Sequence, residues 1–161
     1  MTPDANPTTT APTFVESSVT VSVPIERAWA AFTGEFTAWW PRDHHIGEAD
    51  MAEAIIEPRS GGRWFERGVD GSECDWGRVL VWDPSTHLAL SWHLDSEFRY
   101  DPDPDRCSQV DIRFTAVDGG TEVVLTHSGL DRHGAGWEQL ATGVGNGWPG
   151  IIDGFARLLD A

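Results

Sequence analysis

The chain has 161 residues, 40% of them hydrophobic, which suits one domain built on one core. Its 26 acidic against 11 basic residues give a net charge of -15, a field that repels nucleic-acid phosphates and anionic lipid headgroups, so neither nucleic acid nor a membrane is an expected partner. No apolar run reaches the roughly 18 residues of a membrane helix and the N-terminus carries no basic and apolar leader, so a cytoplasmic location is expected.

In chain order, residues 1–13 read MTPDANPTTTAPT, a mixture of Pro, Thr and Ala without periodicity, and predict a disordered tail ahead of a single domain over 14–161. The β-branched run Val15 to Val23 predicts a strand, stopped by Pro24. Ala28, Trp29 and Phe32 recur at helical spacing and predict a short helix over Pro24 to Thr33; Phe36 to Trp40 adds a helical turn that Pro41 ends. Strands are then predicted over Ala52–Glu57, Arg63–Arg67, Cys74–Val81, His87–Leu94, Ser108–Val117 and Thr121–His127. Turn formers such as Gly61-Gly62, Asp70-Gly71, Asp83-Pro84 and Asp118-Gly119-Gly120 separate them, which argues for an antiparallel meander. Ser96 to Arg106, with its three Asp and two Pro between 101 and 105, reads as an acidic loop.

Alternation sorts the faces. Leu88, Leu90, Trp92 and Leu94 share one side of their strand, and Val110, Ile112 and Phe114 one side of theirs. Val123, Leu125 and His127 share the apolar side of the last strand, which puts an imidazole among hydrophobic neighbours unless a bulge inverts the register. Beyond Gly129, Trp137, Leu140, Ala141, Val144, Trp148, Ile151, Ile152, Phe155, Leu158 and Leu159 keep a 3.6-residue period. Gly143, Gly145, Gly147 and Pro149 weaken its centre and predict a kinked helix or two consecutive ones. This order of elements predicts an α+β domain with the final helix across the apolar face of the sheet.

The segments VSVPIERAWAAFT, PRSGGRWFERGVDGSECDWGRVLVWDPSTHLALSWH, GGTEVVLTHSGL and GWPGIIDGFARLL, in that order, resemble the SRPBCC or START-like superfamily, in the branch of the activator of the heat-shock chaperone ATPase C-terminal domain. The resemblance covers about Val15 to Leu159. It implies a helix-grip fold, a curved antiparallel sheet wrapped around a C-terminal helix, with a cavity for a hydrophobic or amphipathic small molecule between them. Relatives of this kind include carriers, sensors, polyketide aromatases and cyclases, and chaperone co-factors, so the fold alone does not select a function.

Nine tryptophans suit either a filled core or the walls of a site for aromatic ligands. The expected ligand-binding set is Trp39, Trp40, His44 and His45 before the meander, Trp64, Val79, Val81, Trp92, Phe114, Leu125 and His127 on strands, and Trp148, Ile152 and Phe155 on the last helix. Trp76 and Trp82 have the parity opposite to Val79 and Val81, so Trp82 is expected to pack elsewhere. His127 and Glu66 are the candidates for proton transfer, one as an imidazole on a dry face, the other as a carboxylate facing inward beside Trp64. A backbone carbonyl satisfying His127, and an ion pair of Glu66 with Arg63 or Arg78, are the structural alternatives. Asp43, His44 and His45 lack a second ligand pair at metal spacing, and Cys74 and Cys107 lack an activating neighbour; neither metal nor cofactor is expected. The leading expectation is a binder of a small apolar molecule, with a cyclase-type enzyme second. A chaperone partner follows from the family resemblance alone, and a homodimer stays open.

Overall fold

The computed structural model describes residues 12–160. The tail expected over residues 1–13 therefore lies outside the described residues except for its last two, of which Thr13 accepts a hydrogen bond from the Leu130 amide. Strand β1 (Val15–Val21) is followed by helices α1 (Ile25–Gly34) and α2 (Phe36–Trp39). Six strands come next: β2 (Met51–Ile56), β3 (Arg63–Gly68), β4 (Glu73–Asp83), β5 (His87–Trp92), β6 (Ser108–Val117) and β7 (Gly120–Ser128). A 3-10 turn (Leu130–His133) leads into α3 (Trp137–Asp160).

The strands form one antiparallel sheet in the order β1-β7-β6-β5-β4-β3-β2. Strands β2 to β7 run as a meander in which consecutive strands pair, all joined by short turns except β5 and β6, which are linked by residues 93–107, whereas the two helices between β1 and β2 carry the chain from one edge to the other. The sheet curls around α3, whose buried Leu140, Ala141, Val144, Trp148, Ile151, Ile152 and Phe155 join the sheet's inner face in one hydrophobic cluster. This is the helix-grip fold.

Helix α3 is one element of 24 residues with Pro149 inside it, so of the two expected forms it is the single long helix and not two consecutive ones. Its apolar stripe crosses Pro149 without interruption, and burial of that stripe outweighs the weak helical preference of the glycines and the amide missing at Pro149.

Two bulges reset the faces of β4. Pairing with β3 shifts between Trp64 and Phe65, so that Gly77 and Asp75 are their partners, and pairing with β5 shifts between Val79 and Val81. The second bulge leaves Leu80 without a partner and places Val79 opposite Leu90 and Trp82 opposite Leu88, both inward-facing residues. Val81 pairs with Ala89 and faces outward, so its expected place in the cavity wall is corrected. Trp76 is buried on the inside, and Trp82 meets Trp29 edge-on with ring centroids 5.0 Å apart.

Gly77 is needed where it stands, because a β-carbon there would lie 1.7 Å from the Ser91 carbonyl oxygen. That close approach lets the Trp64 indole donate to the same oxygen at 2.8 Å.

Candidate functional site

A pocket of about 290 Å³ opens between α3, the segment after α2 and the end of the sheet bearing β4 and β5. Four indoles wall it, those of Trp40, Trp76, Trp92 and Trp148. Ile46, Leu94, Val144 and Ile151 add aliphatic surface, and Asp43, His44, His45, Phe98, Gly143 and Gly147 complete the lining. The indoles fix one another: Trp40 lies 5.3 Å from Trp76 and 6.1 Å from Trp148, and Trp92 lies 5.8 Å from Trp148, all tilted or edge-to-face. Their N–H groups are engaged in the protein, Trp40 with the His44 carbonyl and Trp92 with the Leu94 carbonyl, so the surfaces offered to the pocket are mainly ring faces and edges.

Of the residues expected from the sequence, Trp40, His44, His45, Trp92 and Trp148 line this pocket. The others lie elsewhere. Trp39 packs against Phe32 and Phe155 and donates to the Ala31 carbonyl; Phe114 stands beside Trp29 and Phe32. Val79, Leu125, Ile152 and Phe155 are core residues, and Trp64 is a buried support behind Trp76 and Trp92. Trp76 was hidden by the bulge next to it. Gly143 and Gly147 carry a signal in the sequence, since they stand one helical turn apart on the stripe that carries Val144, Trp148 and Ile151.

Glu66 is 1% exposed and makes no ion pair with Arg63 or Arg78, correcting that alternative; both arginines pair with Asp75 on the sheet surface. Its carboxylate accepts from the Ile46 amide at 2.6 Å, the Gly47 amide at 3.1 Å and the Trp76 indole at 2.9 Å. Both oxygens are thus occupied by donors. Glu66 is a clamp that fastens the segment bearing His44 and His45 to the wall residue Trp76, and it does not line the pocket. Gly47 permits the clamp, because a β-carbon there would come within 3.1 Å of the carboxylate and 3.2 Å of the Cys74 sulfur.

His127 is fully buried behind Trp92 and Trp148, on the apolar face as the strand register predicts. Side chains, rather than a backbone carbonyl, satisfy it. The Trp148 indole can only donate, so Nδ1 of His127 accepts at 3.1 Å and the ring proton sits on Nε2. That nitrogen donates to the Ser108 hydroxyl at 2.7 Å, which passes its own proton's bond to Nε2 of His133 at 2.8 Å. Burial first, and the neighbouring His133 second, push His127 down to about 3, and burial also lowers His133. With both nitrogens occupied and no pocket-facing surface, His127 supports the wall and is removed from the proton-transfer candidates.

The rim imidazoles are placed differently. His44 Nδ1 donates to the Asp43 carboxylate at 2.9 Å, and His45 Nδ1 donates to the Gly47 carbonyl at 3.0 Å with Glu66 3.8 Å away. Each ring is therefore held by Nδ1, and neither Nε2 has a hydrogen-bond partner among the described residues. The hydrogen bond from His44, and then its charge, hold the Asp43 carboxyl below the usual range. Among the described residues no group of three His, Cys, Asp or Glu is arranged to hold a metal ion, and no helix is long and apolar enough to cross a membrane. Burial raises both thiols, Cys74 and Cys107.

The sequence model of a family described as "Activator of Hsp90 ATPase homolog 1-like protein" matches residues 22–160. Among solved structures, the anthrahydroquino-Gama-pyrone synthase Txn09 is 35% identical, with 91% of this chain and 97% of that chain covered and a TM-score of 0.64. Protein MLL2253 from Mesorhizobium loti is 23% identical over 91% of this chain and 96% of its own, with a TM-score of 0.66. An AHSA1-like protein from Aeromonas hydrophila is 21% identical over 91% and 92%, with a TM-score of 0.62. The two last show the shared fold. No curated protein matches the chain.

Proposed function

The chain belongs to the Activator of Hsp90 ATPase homolog 1-like family, and from that premise we propose that it binds a planar aromatic ketone of polyketide type in the four-tryptophan pocket and closes an oxygen-containing ring on it. One observation carries the reading: the pocket joins aromatic walls to two rim imidazoles tethered through Nδ1 with Nε2 unengaged. Aromatic walls favour flat, polarisable ligands, and about 290 Å³ is near the lower end of the ~300–1,000 Å³ usual for small-molecule sites. The 35% identity to a γ-pyrone synthase supplies the reaction class. The net charge of -15 favours a neutral substrate over an anionic one.

The suggested chemistry is a dehydrative closure of an ortho-hydroxyaryl 1,3-diketone. The phenolic oxygen gives its proton to an imidazole Nε2 as it bonds to the distal carbonyl carbon, whose oxygen takes up a proton. The hemiketal then loses that hydroxyl as water together with a proton from the carbon between the carbonyls, leaving a γ-pyrone with no change in oxidation state. His44, steadied by Asp43, and His45 are the groups placed to move these protons. The walls hold the diketone arm near the phenol and restrict its rotation.

The test is turnover of a 1-hydroxyanthraquinone bearing a 1,3-diketone at position 2, followed by mass spectrometry for loss of one water. Closure faster than in buffer, reduced at least about tenfold in the His44→Ala/His45→Ala double variant, is the expected result. Equal rates with and without the protein overturn the ring-closing reading. A second reading, a carrier without chemistry, is favoured by the locking of the most buried imidazole, His127, into the wall; it predicts binding of the same diketone with no turnover.

A further inference from the structure

Three lining residues of the pocket carry a local conformational disadvantage that no protein neighbour explains. Helix α3 contains glycines at 143, 145, 147, 150 and 154. Gly145 has a packing reason, since a β-carbon there would lie 3.3 Å from Val15, whereas one at Gly154 would make an ordinary contact 3.4 Å from the Trp39 carbonyl. At Gly143 and Gly147 a β-carbon would meet nothing within 4 Å, yet glycine is the poorest helix former apart from proline. Both are pocket residues, one turn apart on the same side of the helix.

Phe98 also lines the pocket and has the third disadvantage. Its φ is +59°, a region that bulky side chains rarely occupy, and its ring is about half exposed at 48%. The turn that holds it is firmly built. Asp95 accepts from the amides of Glu97 and Arg99 through its carboxylate and from the Phe98 amide through its carbonyl, and Leu94 bridges to Tyr100. An aromatic ring is thus kept out of the core by a rigid turn.

The geometry points to Gly143, Gly147 and Phe98 as the specificity-determining residues of the pocket: the bare face of α3 receives the edge of a three-ring planar ligand, and the Phe98 ring packs on that ligand at the mouth. The inference rests on the ligand-binding reading above, whose anthraquinone-type substrate sets the three-ring size, and names the residues that decide which ligand fits. It makes an uncommon demand on mutagenesis, because filling the bare helix face or relaxing the Phe98 turn stabilises the chain while weakening binding.

The experiment uses the full chain with 1,8-dihydroxyanthraquinone as three-ring probe and 1,8-dihydroxynaphthalene as two-ring probe, read by tryptophan fluorescence quenching, with Tm measured in parallel. For Gly143→Ala and Gly147→Ala we expect a Tm higher by about 2–4 °C, three-ring affinity lower by about tenfold or more, and two-ring affinity changed by less than about threefold. Phe98→Gly keeps or raises Tm and weakens the three-ring probe by a similar factor. Gly150 has the same empty surroundings but lies outside the pocket, so Gly150→Ala raises Tm and leaves both affinities unchanged. Unchanged three-ring affinity in the alanine variants overturns the assignment, and so does a fall in their Tm, which would give the glycines a structural role. Failure of the wild-type chain to bind either probe is a different result, and it overturns the ligand-binding reading itself.

Discussion

Acid should destabilise this protein through His127, and the size of the effect follows from where the ring sits. Burial holds it at about 3, against the usual 6.5 in the unfolded chain. Above pH 6.5 the ring is neutral in both states and contributes no pH dependence. As pH falls through 6.5 the unfolded chain takes up a proton that the folded one refuses, so stability is lost steadily down to about pH 3. Between pH 7.5 and 5 the loss is about 2 kcal/mol for this one group, with no discount for solvent because the ring is fully buried. Neutralisation of the excess negative charge acts in the opposite sense over the same range. A comparison of wild type with His127→Gln separates the two, since glutamine can still accept from Trp148 and donate to Ser108 but does not titrate. Urea unfolding at pH 7.5, 6 and 5 should show wild type losing about 2 kcal/mol more than the variant. Parallel losses in the two proteins would refute the placement of a neutral imidazole behind the pocket wall.

Glu66→Ala removes the acceptor of three N–H groups and should lower stability by about 3 kcal/mol or more in the same assay, with Glu66→Gln intermediate; a loss under about 1 kcal/mol would contradict the clamp. Gly77→Ala drives a β-carbon into the Ser91 carbonyl and separates β4 from β5, so it should prevent folding or cost several kcal/mol by circular dichroism melting, and a stable variant would refute the close approach. His44→Ala alone touches a rim side chain and should leave stability within about 0.5 kcal/mol of wild type. With both thiols raised by burial, iodoacetamide at pH 7.5 should modify Cys74 and Cys107 more slowly than free cysteine, a rate that peptide mass spectrometry reads directly.

The architecture was largely legible in the sequence because its punctuation is chemical. Pro24, Pro41 and the Asp-Gly and Gly-Gly turns delimit elements within a residue or two of their observed ends, and the Ser108–Val117 strand matches residue for residue. His127 was correctly placed on the inner face because β6 and β7 pair without a bulge. Parity failed on β4, where two bulges put Trp76, Val79 and Trp82 on one side and Val81 on the other; bulges come from backbone pairing between strands, which a period-2 reading of one strand does not contain. The site was half legible for a related reason. Trp40, His44, His45, Trp92 and Trp148 stood out as large or polar residues, but the glycines of α3 appeared only as helix weakeners and Phe98 only as part of an acidic loop. The sequence leaves Glu66 open between an inward carboxylate and a surface ion pair, because its partners, the amides of Ile46 and Gly47, come from a segment about 20 residues away and leave no local pattern.

The central claim is that the four-tryptophan pocket is where a flat aromatic ligand sits, and the nine indole N–H resonances of a nitrogen-15 labelled sample test it directly. On titration with 1,8-dihydroxyanthraquinone, the indoles of Trp40, Trp76, Trp92 and Trp148 should shift most, while Trp29 and Trp82, packed together at the other side of the core, should stay in place. No shift at saturating probe, or shifts centred on Trp29 and Trp82, would contradict the account.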